Sequence, residues 1–245
     1  MSKLAVGPAW ASPFVWTKFT ESALNLEHPE GWDVKWFFGK GWCPARRHIE
    51  LCEQALGWGA DLICFAGADQ VYPTDTLVRL VNRITQGYDV VGAMVPARGY
   101  IEWMDMKPFQ PMAWRFKRGL PPRIFRGYSK DKDMVEIITP ADGEMQQVQF
   151  MGSGVLMFPS ILLAYLKRPW FFETVQRETY TRFANQDVNF VWRLQEEALA
   201  KVWVDTTIKV GHIHSFVIDE TFQDRFPDWT TGHGDPEIAK YISLK

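Results

Sequence analysis

The chain has 245 residues, which is enough for one large α/β domain or two small ones, and we expect one. Its 47% hydrophobic and 23% charged residues are typical of globular proteins and argue against disordered or fibrous classes. The 27 Lys and Arg residues nearly balance the 29 Asp and Glu residues, and the net charge of -2 argues against a protein whose whole surface binds nucleic acid.

Cysteine usage and hydropathy indicate the compartment. Cys43, Cys52 and Cys64 form no CxxC pair and are odd in number, so we expect reduced thiols and a cytoplasmic location. No window reaches the ~18 apolar residues of a spanning helix, and Met1 to Val15 lacks the apolar core of a signal peptide. We therefore predict a protein without a membrane span.

The first half of the chain alternates helix and strand patterns. A helix is predicted from Ala45 to Leu56, followed by a buried strand from Asp61 to Ala66. A second helix is predicted to begin at Pro73 and to end near Gly87, and Asp89 to Met94 forms the next strand. This alternation predicts an α/β domain with a mostly parallel central sheet flanked by helices.

The second half is less regular. Periodicity fades between Pro96 and Gln147, where prolines, glycines and basic residues accumulate, and a loop-rich segment of this length is usually functional. Apolar patterns then predict a strand pair, or a strand and a bend, at 148–158, helices at 160–166 and 187–199, and strand-like segments at 201–204 and 208–210.

Three acidic or imidazole side chains stand at the ends of predicted elements. Asp69 follows a buried strand, Asp187 begins a helix, and His212 follows the last strand-like segment. Ligands of open α/β sheets bind outside the carboxyl ends of the strands, which makes these residues candidates for a site. If these residues have only structural roles, Asp69 is a turn residue, Asp187 is a helix cap, and His212 is a packed or exposed histidine.

The surroundings of these residues resemble the GT-A glycosyltransferases of the family 2-like group, which use nucleotide-diphosphate sugars. Gly67-Ala68-Asp69 resembles their DxD motif, and Asn185-Gln186-Asp187 resembles their ED motif at a helix start. Further matches are Phe150 to Met157 with the small-residue acceptor-side strand, Pro169-Trp170-Phe171 with the pWF element, and Val210-Gly211-His212 with the VGH element. The resemblance covers most of the chain and implies a single GT-A (Rossmann-like) domain.

The resemblance also divides the domain. It implies a nucleotide-sugar-binding half at residues 1–97, a loop-rich insertion at 98–147, and an acceptor-side half with a C-terminal tail at 148–245. Asp69 is expected to bind a divalent metal, with His212 as second ligand and His214 as fallback. Few protein ligands suffice because substrate and water complete the shell, and an imidazole ligand favours Mn²⁺ over Mg²⁺.

Two positions depart from the family pattern. Gly67 replaces the first Asp of DxD, so the contact of that carboxylate is missing or supplied elsewhere, and Gln186 replaces the Glu of ED. In inverting members the residue matching Asp187 deprotonates the acceptor hydroxyl. In retaining members this region positions the acceptor, so the sequence leaves the stereochemistry open.

Further residues are expected at the nucleotide-sugar site. Pro8 and Trp10 follow the opening strand, and Trp10 either stacks on the base or packs in the core. Arg46 and Arg47 either contact a phosphate or begin a solvated helix. The remaining expected contacts come from Ala68 beside Asp69 and from the small residues Gly152, Ser153 and Gly154, which allow close approach of acceptor or sugar or else form a β-bulge.

The sequence thus predicts a metal-dependent, hexosyltransferase-type enzyme that transfers a sugar from an NDP-sugar, with UDP-sugars favoured, to an acceptor hydroxyl. One alternative is a catalytically inactive GT-A-like binding module, which Gly67 keeps open. The other is a nucleotidyltransferase, against which the lack of a glycine- and lysine-rich N-terminal phosphate loop counts. The sequence leaves the acceptor unidentified, with a glycan, a protein and a hydroxylated DNA base all open, and the basic run from Arg115 to Lys132 either binds phosphates or is a solvated loop.

Overall fold

A computed structural model describes residues 1–9, 15–97, 112–117, 135–140, 143–172, 174–176, 181–213, 217–218 and 220. Its strands are β1 (Ser2–Gly7), β2 (Trp32–Trp36), β3 (Leu62–Ala66), β4 (Gln70–Val71), β5 (Val90–Met94), β6 (Ala113–Phe116), β7 (Val135–Ile137), β8 (Met145–Val148), β9 (Phe150–Met151), β10 (Val155–Pro159), β11 (Thr174–Gln176), β12 (Thr181–Ala184), β13 (Val202–Lys209), β14 (Gly211–Ile213) and β15 (Val217–Ile218). Its helices are α1 (Thr17–Leu24), α2 (Pro44–Trp58), α3 (Thr76–Thr85) and α4 (Gln186–Glu196), with a 3₁₀ helix at Ser160–Ala164.

A seven-stranded sheet forms the centre of the molecule, in the order β2-β1-β3-β10-β5-β13-β8. Strands β10 and β8 run antiparallel to their neighbours, and the other five strands share one direction. The predicted α/β fold with a mostly parallel central sheet is therefore confirmed.

Helices cover both faces of this sheet. Successive residues of β3 contribute to different apolar clusters, because side chains alternate across a strand. Phe65 belongs to the cluster that contains α2 and α4, whereas Cys64 belongs to the cluster that contains α1 and α3. Burial on both faces explains why β3 is a continuous apolar run in the sequence.

The predicted helices are present with small shifts at their ends. Helix α2 begins at Pro44, whose missing N–H costs nothing at a helix start, and ends at Gly59, which has a left-handed φ of 78°. Helix α4 begins after Asn185, whose side chain accepts a hydrogen bond from Val188 N at 3.4 Å. The segment predicted as a helix over 160–166 forms the 3₁₀ helix instead.

Part of the segment expected to be loop-rich is extended. Strands β6 and β7 pair with β9 in a second sheet, ordered β7-β6-β9, and β8 joins the central sheet beside β13. These strands are too short to show a period in sequence, and their pairing with distant strands stabilises them. The segments predicted at 201–204 and 208–210 form one strand, β13, with a register shift between Asp205 and Lys209.

Two further predictions concern the cysteines and the membrane. Cys43, Cys52 and Cys64 are all free thiols. None of the helices in the described part of the chain combines the length and apolarity needed to cross a membrane.

Candidate functional site

A cavity of about 520 Å³ opens where β1, β3 and β5 end and where β10 begins. This volume is within the range of small-molecule sites, and the position agrees with the rule that open α/β sheets bind ligands at the carboxyl ends of strands. The cavity brings together eight of the residues predicted from sequence: Arg47, Ala68, Asp69, Gly152, Ser153, Gly154, Asp187 and His212.

Asp69 and His212 form what we call the first wall of the cavity. A small sheet, ordered β15-β14-β4, pairs His212 with Gln70, and Ile213 N donates to Asp69 O at 2.6 Å. This pairing joins the turn after β3 to a segment more than 140 residues later. It places His212 Nε2 3.4 Å from Asp69 Oδ2.

The first wall fits a divalent cation. His212 Nδ1 lies 2.7 Å from the carbonyl oxygen of Pro96, which can only accept, so Nδ1 carries a proton and Nε2 is the ring nitrogen that could bind a cation beside Asp69. Two ligand atoms that each lie about 2.1 Å from one ion, in directions at right angles, are about 3 Å apart. The separation of His212 Nε2 and Asp69 Oδ2 is close to this value. Within the described residues no group of three or more His, Cys, Asp or Glu side chains could hold a metal. A cation held by Asp69 and His212 alone would take its other ligands from substrate and water.

His48, Ser153 and Asp187 form the second wall. Asp187 lies in the first turn of α4, and its Oδ2 accepts a hydrogen bond from Ser153 N at 3.3 Å. Its Oδ1 accepts from Val188 N at 2.9 Å. The helix N-terminus and these two N–H groups favour a negatively charged carboxylate facing the cavity.

His48 is a site residue that the sequence analysis missed. Its Nε2 lies 3.1 Å from Ser153 Oγ and its Nδ1 lies 2.9 Å from Pro44 O. The ring stacks on Phe171 at 4.7 Å and packs edge-on against Phe65 at 4.9 Å. The pKa of His48 is lowered to about 4, chiefly by burial and to a lesser degree by the nearby Arg47 charge, while the hydrogen bond to Pro44 O opposes the shift.

A sequence signal for His48 was available. Helical spacing places it on the same face as Leu51, Cys52 and Ala55, all of which are fully buried. A histidine on an otherwise apolar helix face needs buried partners for both ring nitrogens, and the second partner, Ser153, could not be found from local pattern.

The structure provides a reason for glycine at the first DxD position. A Cβ atom on Gly67 would lie 2.8 Å from Nε2 and 2.9 Å from Cδ of Gln70, and a Cβ on Gly154 would overlap the same amide. Gln70 is only 2% exposed, and its Oε1 has no hydrogen-bond partner among the described residues. The Gln70 amide therefore fills the space that a side chain at position 67 would need.

Two arginines predicted near a phosphate have different surroundings. Arg46 forms ion pairs with Glu50 at 3.4 Å and Glu53 at 3.6 Å and does not line the cavity. Arg47 lines the cavity, and its Nε donates to Gly41 O at 2.9 Å. The structure thus brings Arg47, rather than Arg46, to the site.

The remaining predicted residues lie at the edge of the site or outside the described part. Pro8 is buried at the end of β1, its carbonyl accepts from Gly39 N at 3.3 Å, and Ala9 beside it lines the cavity. Trp10 and His214 lie outside the described residues, as does most of the basic run from 115 to 132. Their predicted roles stay predictions.

Solved structures share the arrangement of the chain. The crystal structure of A197 from STIV is 16% identical, with 87% of this chain and 86% of that chain covered at a TM-score of 0.51. At this identity the likeness is one of fold alone. The chain itself has an α/β fold with a mostly parallel central sheet. No protein-family model and no curated protein matches the sequence.

Other solved structures match this chain less well. TarS of S. aureus in complex with UDP-GlcNAc is 14% identical, and the match covers 84% of this chain but only 56% of that one at a TM-score of 0.41. UDP-glucose pyrophosphorylase from Acinetobacter baumanii is 10% identical, with 89% and 68% covered and the same TM-score. These likenesses extend to neither a donor nor a reaction.

Proposed function

We propose that the protein is a metal-dependent glycosyltransferase that moves a hexose-type sugar from a UDP-sugar, or another NDP-sugar, to an acceptor hydroxyl. The observation that carries the proposal is the pairing of two walls across one cavity. Asp69 Oδ2 and His212 Nε2 lie 3.4 Å apart, a separation that suits two ligands of one cation, and Asp187 is a carboxylate at the same cavity. A cation for the diphosphate and a base for the acceptor together support sugar transfer with inversion.

Each wall has a separate task in this proposal. Asp69 and His212 hold Mn²⁺ or Mg²⁺, which when bound neutralises the negative charge of the diphosphate leaving group. Asp187 takes the proton of the acceptor hydroxyl while the oxygen of that hydroxyl forms a bond to the anomeric carbon of the sugar. The bond from that carbon to the diphosphate breaks, and the nucleotide diphosphate leaves with the electron pair.

The proposal is tested by titrating UDP into the protein with and without Mn²⁺ in a calorimeter, followed by a screen of NDP-sugars for nucleotide release. We expect UDP to bind in the presence of Mn²⁺ and at least one NDP-sugar to be cleaved. Asp69→Asn should reduce UDP binding to the level measured without metal. Glu30→Gln removes a carboxylate at an exposed position and is the matched control that should bind normally.

Two outcomes contradict the proposal. UDP affinity that does not depend on Mn²⁺, or that Asp69→Asn leaves unchanged, removes the first wall from the donor site. Tight UDP binding without release from any NDP-sugar, in a folded sample, indicates the inactive binding module instead.

A further inference from the structure

We propose that Ser153 accepts a hydrogen bond from a hydroxyl group of the transferred sugar, and that His48 is a positioning residue that fixes the direction of this bond. The inference rests on the proposed function and deepens it, because it assigns the group that recognises the sugar. It depends on three observations: the partners of the His48 ring, the single partner of the Ser153 hydroxyl among the described residues, and the position of Ser153 between Asp187 and the turn that carries Asp69.

The partners of His48 determine where its proton lies. The carbonyl oxygen of Pro44 can only accept a hydrogen bond, so the Nδ1 that lies 2.9 Å away carries the proton. The ring is buried between Phe65 and Phe171, and with a pKa of about 4 it is neutral near pH 7. A neutral imidazole has one N–H, so Nε2 is an acceptor.

The direction of the Ser153 hydrogen bond follows from this tautomer. Ser153 Oγ lies 3.1 Å from His48 Nε2, and an accepting nitrogen requires the hydroxyl to donate. Among the described residues His48 is the only partner of this hydroxyl. Because its single proton is committed to His48, Ser153 Oγ can offer only lone pairs to a ligand in the cavity.

The position of Ser153 indicates which part of the ligand it meets. Its backbone N–H donates to Asp187 Oδ2 at 3.3 Å, and the next carbonyl, that of Gly154, accepts from Gly67 N at 2.8 Å. The hydroxyl is therefore held between the proposed base and the turn that carries Asp69. A sugar that passes from the diphosphate to the acceptor lies between these same two groups.

An oxygen that can only accept selects for a ligand group that donates. A sugar hydroxyl satisfies it, whereas a hydrogen or a fluorine at the same carbon leaves it without a partner. One neutral hydrogen bond contributes a factor of about 3 to 10 in affinity. We therefore expect the site to discriminate against both deoxy and fluoro analogues at one position of the sugar ring.

The test compares the affinities of UDP, UDP-glucose and the monodeoxyfluoro analogues of UDP-glucose by calorimetry with Mn²⁺. The intact protein should bind UDP-glucose more tightly than UDP, and one fluoro analogue about 3- to 10-fold more weakly than UDP-glucose. Ser153→Ala should abolish this discrimination and leave the affinity for UDP unchanged.

The role of His48 is tested with His48→Phe, which retains an aromatic ring against Phe171 and removes the acceptor. The freed Ser153 hydroxyl can then donate to fluorine, so the discrimination should fall by several-fold. In the Ser153→Ala background, His48→Phe should not change the discrimination between UDP-glucose and the fluoro analogue any further. Unchanged discrimination in His48→Phe would show that His48 contributes packing only and would overturn its positioning role.

Other outcomes separate this inference from the proposed function. Equal affinity of the intact protein for UDP and UDP-glucose, or discrimination that survives Ser153→Ala, overturns the assignment of Ser153 while metal-dependent UDP binding still stands. Failure of the intact protein to bind UDP with Mn²⁺ counts against the proposed function itself.

Discussion

The two walls of the cavity differ in how the protein holds them. On the first wall, main-chain pairing of β4 with β14 brings Asp69 and His212 together, and Asp69 Oδ2 lies 3.4 Å from His212 Nε2. On the second wall, side chains hold one another: His48 bonds Ser153 and stacks on Phe171, and Ser153 N bonds Asp187. The first wall suits an ion that supplies its own bonds, and the second suits groups that must be oriented before the ligand arrives.

The largest expected effect separates the two walls by function. Asp187→Asn keeps the shape of the side chain and removes its basicity, so kcat for sugar transfer should fall by roughly 10²- to 10⁴-fold. The affinity for UDP with Mn²⁺ should remain unchanged, since the first wall is intact. Single-turnover kinetics and calorimetry on the same preparation measure both quantities. Loss of UDP binding along with transfer would mean that Asp187 supports the fold rather than the reaction.

The second prediction concerns the pH dependence of stability. His48 has a folded pKa of about 4 against a usual value of 6.5. Between these two pH values the unfolded chain therefore binds a proton at His48 that the folded chain does not bind. The contribution of His48 to the free energy of unfolding is complete above pH 6.5 and should fall by about 3 kcal/mol as the pH drops to 4. Urea denaturation of the wild type and His48→Phe at several pH values measures the difference.

A control distinguishes His48 from the carboxylates that titrate in the same range. His28→Asn changes an exposed histidine and should keep the wild-type slope, whereas His48→Phe should flatten it. Parallel slopes for the wild type and His48→Phe would contradict the burial of a neutral imidazole on the second wall.

The third prediction sharpens the chemistry of the first wall. His212→Ala removes the nitrogen ligand and leaves Asp69, so affinity for Mn²⁺ should fall about tenfold or more. Affinity for Mg²⁺ should fall less, because oxygen ligands suit Mg²⁺ and imidazole suits the transition metals. Isothermal titration of each metal in the presence of UDP gives the ratio. A uniform loss for both ions would argue against direct ligation by His212.

The smallest expected effect tests why Gly67 replaces an aspartate. Gly67→Ala should destabilise the protein by about 1 kcal/mol, because the new Cβ meets the buried Gln70 amide 2.8 Å away. In a Gln70→Ala background the same change should cost little, since the amide is gone. Thermal or urea unfolding of the four proteins measures the coupling. Additive effects would show that Gln70 does not fill this space.

Sequence pattern was a good guide wherever structure is local. Helix α2 and strands β3 and β5 lie close to their predicted ranges because their apolar periods are set by neighbours a few residues away. The two candidate carboxylates, Asp69 and Asp187, were found because each stands at the end of such an element. The extended β6 and β7 were not predicted, since their stability comes from strands distant in sequence.

The sequence by itself determined the α/β class and the placement of Asp69 after a strand and Asp187 at a helix start, because local apolar spacing and capping chemistry encode them. It also indicated free thiols, because the cysteines form no CxxC pair and are odd in number. Only the tertiary structure decided that β14 pairs with β4 and sets His212 against Asp69, and that His48 bonds Ser153 over 105 positions. It also showed that Gln70 occupies the space beside Gly67. Such contacts depend on strand pairing and close packing across the whole chain, which no local pattern specifies.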